Sequence, residues 1–161
     1  MAFDAFIKID GIKGESVDAK HKEEIVLDSF SWGVTQSGAD YAGSAGRGTG
    51  KASPSDFSIV KKVDSSSPGL FAACAAGTHT PTMIVTMRKA GGQPLEYLVY
   101  KFYDVMVSSY QAGGSSGSDL PQESVSFNYS KVEISYTPQD SKGAAKSPMG
   151  TGWDFSKNQK V

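Results

Sequence analysis

Alternation of apolar and polar residues dominates this chain. In "FDAFIKID", Phe3, Ala5, Ile7 and Ile9 fall on one side and Asp4, Lys8 and Asp10 on the other, the period of a half-buried strand. "EEIVLDSFSWGV" reads as a second strand, with Val26, Phe30, Trp32 and Val34 on one face and Ser29 and Ser31 on the opposite one. "SDFSIVKKV" places Phe57, Ile59 and Val63 together. "PTMIVTMRKAGGQPLEYLVYKFYDVMVSSY" reads as a hairpin turning at Gly91-Gly92. In its second arm Tyr97, Val99, Tyr103 and Val105 share one face, and Leu98, Tyr100, Phe102 and Met106 share the other. A strand apolar on both faces is one covered on both sides. In "ESVSFNYSKVEISYTP" the apolar positions are Val125, Phe127 and Tyr129, then Val132, Ile134 and Tyr136. The phase slips by one near Ser130-Lys131, as a bulge or sharp bend would make it, and such devices let a sheet close on itself.

One stretch has helical character. In "SSSPGLFAACAAGT", Ser67 is the expected cap, Pro68 suits the first helical position and Gly77 the residue past the end. Leu70, Phe71 and Cys74 are expected on its buried face. The remaining segments read as connections: a long Gly-rich loop over residues 37–53, a second loop in "QAGGSSGSDLP", and a linker-like stretch over 138–152. "WDFSKNQKV" is a candidate final strand. Many β segments and one short helix predict a mainly β fold, an antiparallel barrel or sandwich with the helix packed on its side. The 161 residues suit a single domain spanning 1–161.

Composition narrows the function. Hydrophobic residues make up 39% and charged residues 20%, which places the chain among globular proteins. The net charge is −1 and neither half is basic, so no nucleic-acid or membrane-surface footprint is expected. No run approaches the ~18 apolar residues of a membrane span, so no membrane insertion is expected. The N-terminal "MAFDAFIKID" carries acid where a signal peptide would carry base. Synthesis in the cytoplasm is expected, with any export by a route that cleaves no signal.

The chemistry-bearing residues are sparse. "SAGRGTGKAS" approaches a phosphate-binding loop, but Ala45 and Ala52 stand where that motif needs glycine and a hydroxyl, and no helix is expected to follow. The stretch is therefore expected to be a long docking or mobile loop. Cys74 lies in the apolar run "LFAACAA" and reads as a small buried hydrophobe. His21, inside "KHKEE", reads as a solvated surface residue, and His79 precedes a Thr-Pro turn. Two histidines and one cysteine give no zinc spacing, and no nucleophile elbow or carboxylate pair stands out. No catalytic residue, metal or cofactor is expected, and the chain does not read as an enzyme.

Taken in order, "FIKIDGIKGES", "SFSWGVTQSG", "MRKAGGQPLEYLVY", "VMVSSYQAGG", "VEISYTPQ" and "GWDF" resemble the haemolysin-coregulated protein (Hcp) family, the tube subunit of the bacterial type VI secretion system. The resemblance runs from Phe3 to about Phe155. It implies a β-barrel related to phage tail-tube proteins and a homohexameric ring with an open lumen. It also implies stacked rings, with a spike-tip protein, a sheath and lumen-borne effectors as partners, and a protein that itself reaches the medium. It gives the Gly-rich loop a role: Gly43, Gly46, Arg47, Gly48, Gly50 and Lys51 would reach neighbouring subunits or rings. In such a ring Ser31, with Ser29 beside it, would face the lumen and contact effectors. Alternation alone is equally content with a plain exterior hydroxyl there. The other readings are a tail-tube subunit of a phage or other contractile particle, and a small-ligand-binding barrel.

Overall fold

The computed structural model describes residues 3–38, 49–89 and 95–161. It contains β1 (Phe3–Ile9), β2 (Ile25–Val26), β3 (Ser29–Ser31), β4 (Val34–Gly38), β5 (Thr49–Pro54), β6 (Phe57–Lys62), α1 (Ser67–Ala76), β7 (His79–Lys89), β8 (Glu96–Gly113), β9 (Gln122–Asn128), β10 (Lys131–Tyr136), β11 (Met149–Asp154) and β12 (Gln159–Lys160). The fold is mainly β with one short helix, and every strand pairing is antiparallel.

The strands form a circuit. β1 pairs with β7, β7 with β8, β8 with β9, β9 with β6 and β6 with β3. The chain between β2 and β3 closes it: Leu27 N–H donates to Ala5 C=O at 3.0 Å, and Asp28 N–H donates to Val60 C=O at 2.9 Å. The join covers strand edge that β1 and β6 would otherwise leave open. β10, β11 and β12 extend outwards from the first half of β8, while β4 and β5 form a separate two-stranded sheet.

Inside the circuit sit Ala5, Ile7, Ile25, Leu27, Phe57, Ile59, Met83, Val85, Met87, Phe102, Val105, Val125 and Phe127, all buried. Phe30 and Trp32 pack against this core, stacking on Phe57 and standing edge-on to Phe102 respectively.

The alternation is interrupted in several places. Ile25 and Leu27 point inward and Val26 outward, so the expected run through Val26, Phe30, Trp32 and Val34 breaks where the chain passes from β1 to β6; Val34 is 56% exposed. In β8, Phe102 and Val105 both face the core because Asp104 takes a left-handed φ of 52°. Asp104 lies opposite Pro81, which has no N–H to offer the ladder. Tyr103 and Val105 therefore do not share a face. The slip near Ser130 is real and marks the corner between β9 and β10.

The connections are shorter than the sequence suggested. Residues 37–38 belong to β4 and 49–53 to β5, so both ends of the Gly-rich loop read over 37–53 are strand, and 39–48 lie outside the described residues. The turn at Gly91-Gly92 also lies outside them. The linker-like stretch ends in β11, which forms a hairpin with β12.

The helix corrects two expectations. Ser66, not Ser67, occupies the cap position, with no side-chain cap hydrogen bond; it is Asp64 Oδ1 that accepts from Ser66 N–H at 2.9 Å. Its buried face is Ser67, Leu70 and Ala73, while Phe71 is 60% exposed and lies edge-on to Tyr110. Gly77 ends the helix in the expected left-handed conformation, φ 65°.

Ser67 has another task. Its Oγ donates to Glu123 Oε1 at 2.7 Å, and Lys61 Nζ meets the same carboxylate at 2.6 Å. Lys61 and Glu123 face each other across β6 and β9, on the inward side, with their side chains 0% and 1% exposed. Asp64 at 3.0 Å and the Lys62 carbonyl at 2.9 Å complete the ammonium's partners, and Tyr110 hydroxyl donates to the second carboxylate oxygen. The network ties β6, β8, β9 and α1 together. Removing one member strands a buried charge, so Lys61→Met should destabilise the fold by about 3–5 kcal/mol. The double change Lys61→Met, Glu123→Leu should recover much of that loss. Urea unfolding of both variants checks this; a single variant as stable as wild type contradicts it.

Candidate polar face

The outward side of β3, β6, β9 and the second half of β8 is lined by hydroxyls. Ser31 lies opposite Ser58, Ser58 opposite Ser126, and Ser126 opposite Ser109, one serine per strand across four strands. The next row is Ser29, Val60, Ser124 and Gln111. The placement follows from the pleat. Phe30, Phe57, Ile59, Val125 and Phe127 take the inward positions, so their neighbours must face out.

The second half of β8 reaches this face through a bulge at Ser108, between the Val107 and Ser109 pairings. The bulge re-aims the strand so that Ser109 and Gln111 face out while Tyr110 turns in towards Glu123. Ser108 Oγ then donates to Asp56 at 2.6 Å, and Asn128 donates to the same carboxylate at 3.3 Å. Ser58 and Ser126 share a hydrogen bond at 2.9 Å. Ser29 and Ser31 are exposed, and Ser58, Ser109 and Ser126 are half-buried.

Between Asp56 at one end and Lys62 at the other, these two rows carry no formal charge and only one apolar side chain, Val60. They form a shallow surface of short hydroxyls. Such a surface offers hydrogen bonds to many partners and a strong field to none. Nearby, burial pushes the Tyr129 phenol up to about 12, and its hydroxyl donates to Ser55 C=O at 2.8 Å, which holds the corner before β10.

Of the residues read from the sequence, Ser29 and Ser31 come together on this face. Gly50 and Lys51 lie in β5, away from these two rows, and Gly43, Gly46, Arg47 and Gly48 lie outside the described residues. Ser58, Ser109, Ser124, Ser126 and Gln111 went unread. Their signal was present in the alternation of serine with aromatic and branched residues in "SDFSIV" and "ESVSFN". Only the strand pairing shows that these serines are neighbours. Among the described residues no three His, Cys, Asp or Glu side chains gather as metal ligands would. Among the described residues His79 pairs with Asp104, at 2.9 Å, with both exposed.

An antiparallel β circuit with one short helix, an uncharged hydroxyl face and an outlying hairpin defines a mainly β protein. The comparisons specify the family. Residues 6–136 match the family described as "Type VI secretion system effector, Hcp". The chain is 44% identical to Protein hcp1 of Pseudomonas aeruginosa, over 98% of each chain. It superimposes on the crystal structure of Hcp1 from Salmonella typhimurium with a TM-score of 0.83, at 39% identity and full coverage of both chains. On a structure described as a type six secretion system protein the TM-score is 0.93, at 38% identity, covering 99% of this chain and 100% of that one. The chain belongs to the Hcp family and is a tube subunit of the type VI secretion system.

Proposed function

We propose that the subunit works as a homohexameric ring whose lumen is lined by the serine face, and that rings stack into a tube that carries effectors. The observation that carries the lumen assignment is the four-strand row Ser31, Ser58, Ser126, Ser109. A channel that admits protein cargo needs walls of short, uncharged, hydrogen-bonding side chains, and these two rows are built that way. A head-to-tail ring also needs two different complementary surfaces on each subunit. Candidates are the outside of β8, where Tyr97, Val99 and Tyr103 stay half-buried, and the end of the β10–β11 pair, where Tyr136 and Met149 are 44% and 62% exposed. The partners are then further copies of the chain, the spike-tip protein, the sheath and the effectors. Assembly takes place in the bacterial cytoplasm, and the protein is afterwards delivered to the medium or the target cell.

Native mass spectrometry at micromolar concentration should give hexamers. A monomer at every concentration would overturn the ring.

Ser31 and Ser29 act in this reading as effector contacts. Ser31→Gln should leave hexamer yield and melting temperature near wild type while effector co-purification falls. Unchanged cargo in intact rings, or loss of the rings themselves, removes Ser31 from that role.

The β4–β5 hairpin holds both ends of the Gly-rich tip, and we assign Gly43, Gly46, Arg47, Gly48, Gly50 and Lys51 to contacts between subunits or rings. A hairpin of two strands is marginal alone, so a partner surface would add to its order. Shortening residues 42–49 should preserve the barrel, read by circular dichroism, and weaken ring stacking or secretion. Wild-type stacking in the shortened protein counts against the assignment.

A further inference from the structure

His21 is not solvated: it is 6% exposed, beneath a loop that covers the outer face of β1 and β7. The loop runs from Lys13 to Glu24 and is closed at its base by Gly14 N–H to Glu23 C=O at 2.8 Å and Glu23 N–H to Ser16 C=O at 2.8 Å. A Cβ on Gly14 would lie 2.5 Å from the Glu24 carbonyl oxygen, so only glycine permits this approach. Under the loop, the imidazole stacks on Phe6 at 4.5 Å between centroids, and the Arg88 guanidinium lies 5.1 Å from the same Phe6 ring.

Both ring nitrogens face carboxylates. Nδ1 is 2.9 Å from Glu24 Oε2 within the loop, and Nε2 is 2.7 Å from Glu96 Oε1 at the start of β8. A neutral imidazole has one N–H and one lone pair, so it would turn that lone pair onto a carboxylate oxygen. Two N–H donors satisfy both contacts. Facing the cluster are Glu24 and Asp18 from the loop, Asp4 from β1, Glu96 from β8 and, as the one fixed cation, Arg88 from β7, which binds Asp18 at 2.7 Å and Asp4 at 3.2 Å. The hydrogen bond from Arg88 holds the Asp18 carboxyl down to about 2.

We propose that His21 is a proton-operated latch: doubly protonated, it bridges Glu24 to Glu96 and fastens the 13–24 loop to the β7–β8 hairpin. Losing one proton breaks a charge-assisted bond and lets the loop lift from Phe6 and Arg88. The sign follows directly. The closed loop is the form that binds the extra proton, so closure is complete on the acid side and weakens as pH rises. The latch uses none of the residues of the serine face and stands whether or not that face lines a lumen.

Hydrogen exchange by mass spectrometry on the intact protein, corrected for intrinsic rates, tests this over about pH 5.5 to about pH 8.5, the span in which imidazoles titrate. Protection of the amides of Gly14, Ser16 and Glu23 should fall on the order of tenfold across that span, as loss of one charged hydrogen bond requires. In His21→Gln, protection should be low and independent of pH. Glu96→Gln, at a half-exposed position, keeps a hydrogen-bond partner for a neutral ring and should flatten the response while leaving the loop protected. Protection that does not vary with pH in wild type, or a wild-type response that persists in either variant, overturns the latch.

Discussion

One strand imposes its geometry on everything else. β8 is 18 residues long and serves three neighbours: β7 and β10 along its first half, β9 along its second. A straight strand of that length would carry one face of side chains from end to end. β8 instead leaves regular pairing at Tyr97, opposite Met87 and Arg88, and then changes phase at two further points. Asp104 enters the left-handed region opposite Pro81, and Ser108 forms a bulge. Between these points Val105 and Val107 keep the core filled. Beyond them Ser109 and Gln111 join the hydroxyl face while Tyr110 turns inward to Glu123. The two irregularities let one strand belong to the barrel and to the flat serine face together.

The inside and outside of that wall use polarity in opposite ways. Inside, Lys61 and Glu123 are desolvated, a large penalty that is offset by mutual contact and by Ser67, Asp64, Tyr110 and the Lys62 carbonyl. Such a pair pins the register of β6 against β9 and seats the helix, because any slip separates two buried charges. Outside, the serines are wet and individually contribute little to stability. The outer face is therefore free to be shaped by what it touches, while the fold is held by the inner network. That division suits a tube subunit, whose wall must present one chemistry outwards and another to its own core.

Much of this was legible in the sequence, for physical reasons that can be named. β1, the β7–β8 hairpin and the slip near Ser130 follow from alternation, and the helix end follows from Gly77. The mistakes share a cause: alternation equates inward with apolar. Lys61 went unread in "SIVKKV", although it faces the core, and its partner Glu123 is 62 positions away. His21 sits in a charged run, yet it is buried because Phe6 and Glu96 come from other strands. The break between Leu27 and Phe30 arises from the chain crossing between strands, which no local window records. Ser29 and Ser31 could be read as a pair, but the row across four strands is a property of register. Membership in the Hcp family was readable because it rests on the order of many short motifs, none of which depends on those errors.

The central claim is that the row Ser31, Ser58, Ser126, Ser109 forms the inner wall of a ring. Electron cryo-microscopy of the assembled protein, at a resolution that traces β3, β6, β9 and β8, tests it most directly. The account predicts a hexameric ring with those four strands around the central hole and their serine side chains pointing into it. A ring whose hole is lined by other strands, with the serine row on the outside or buried between subunits, would contradict it.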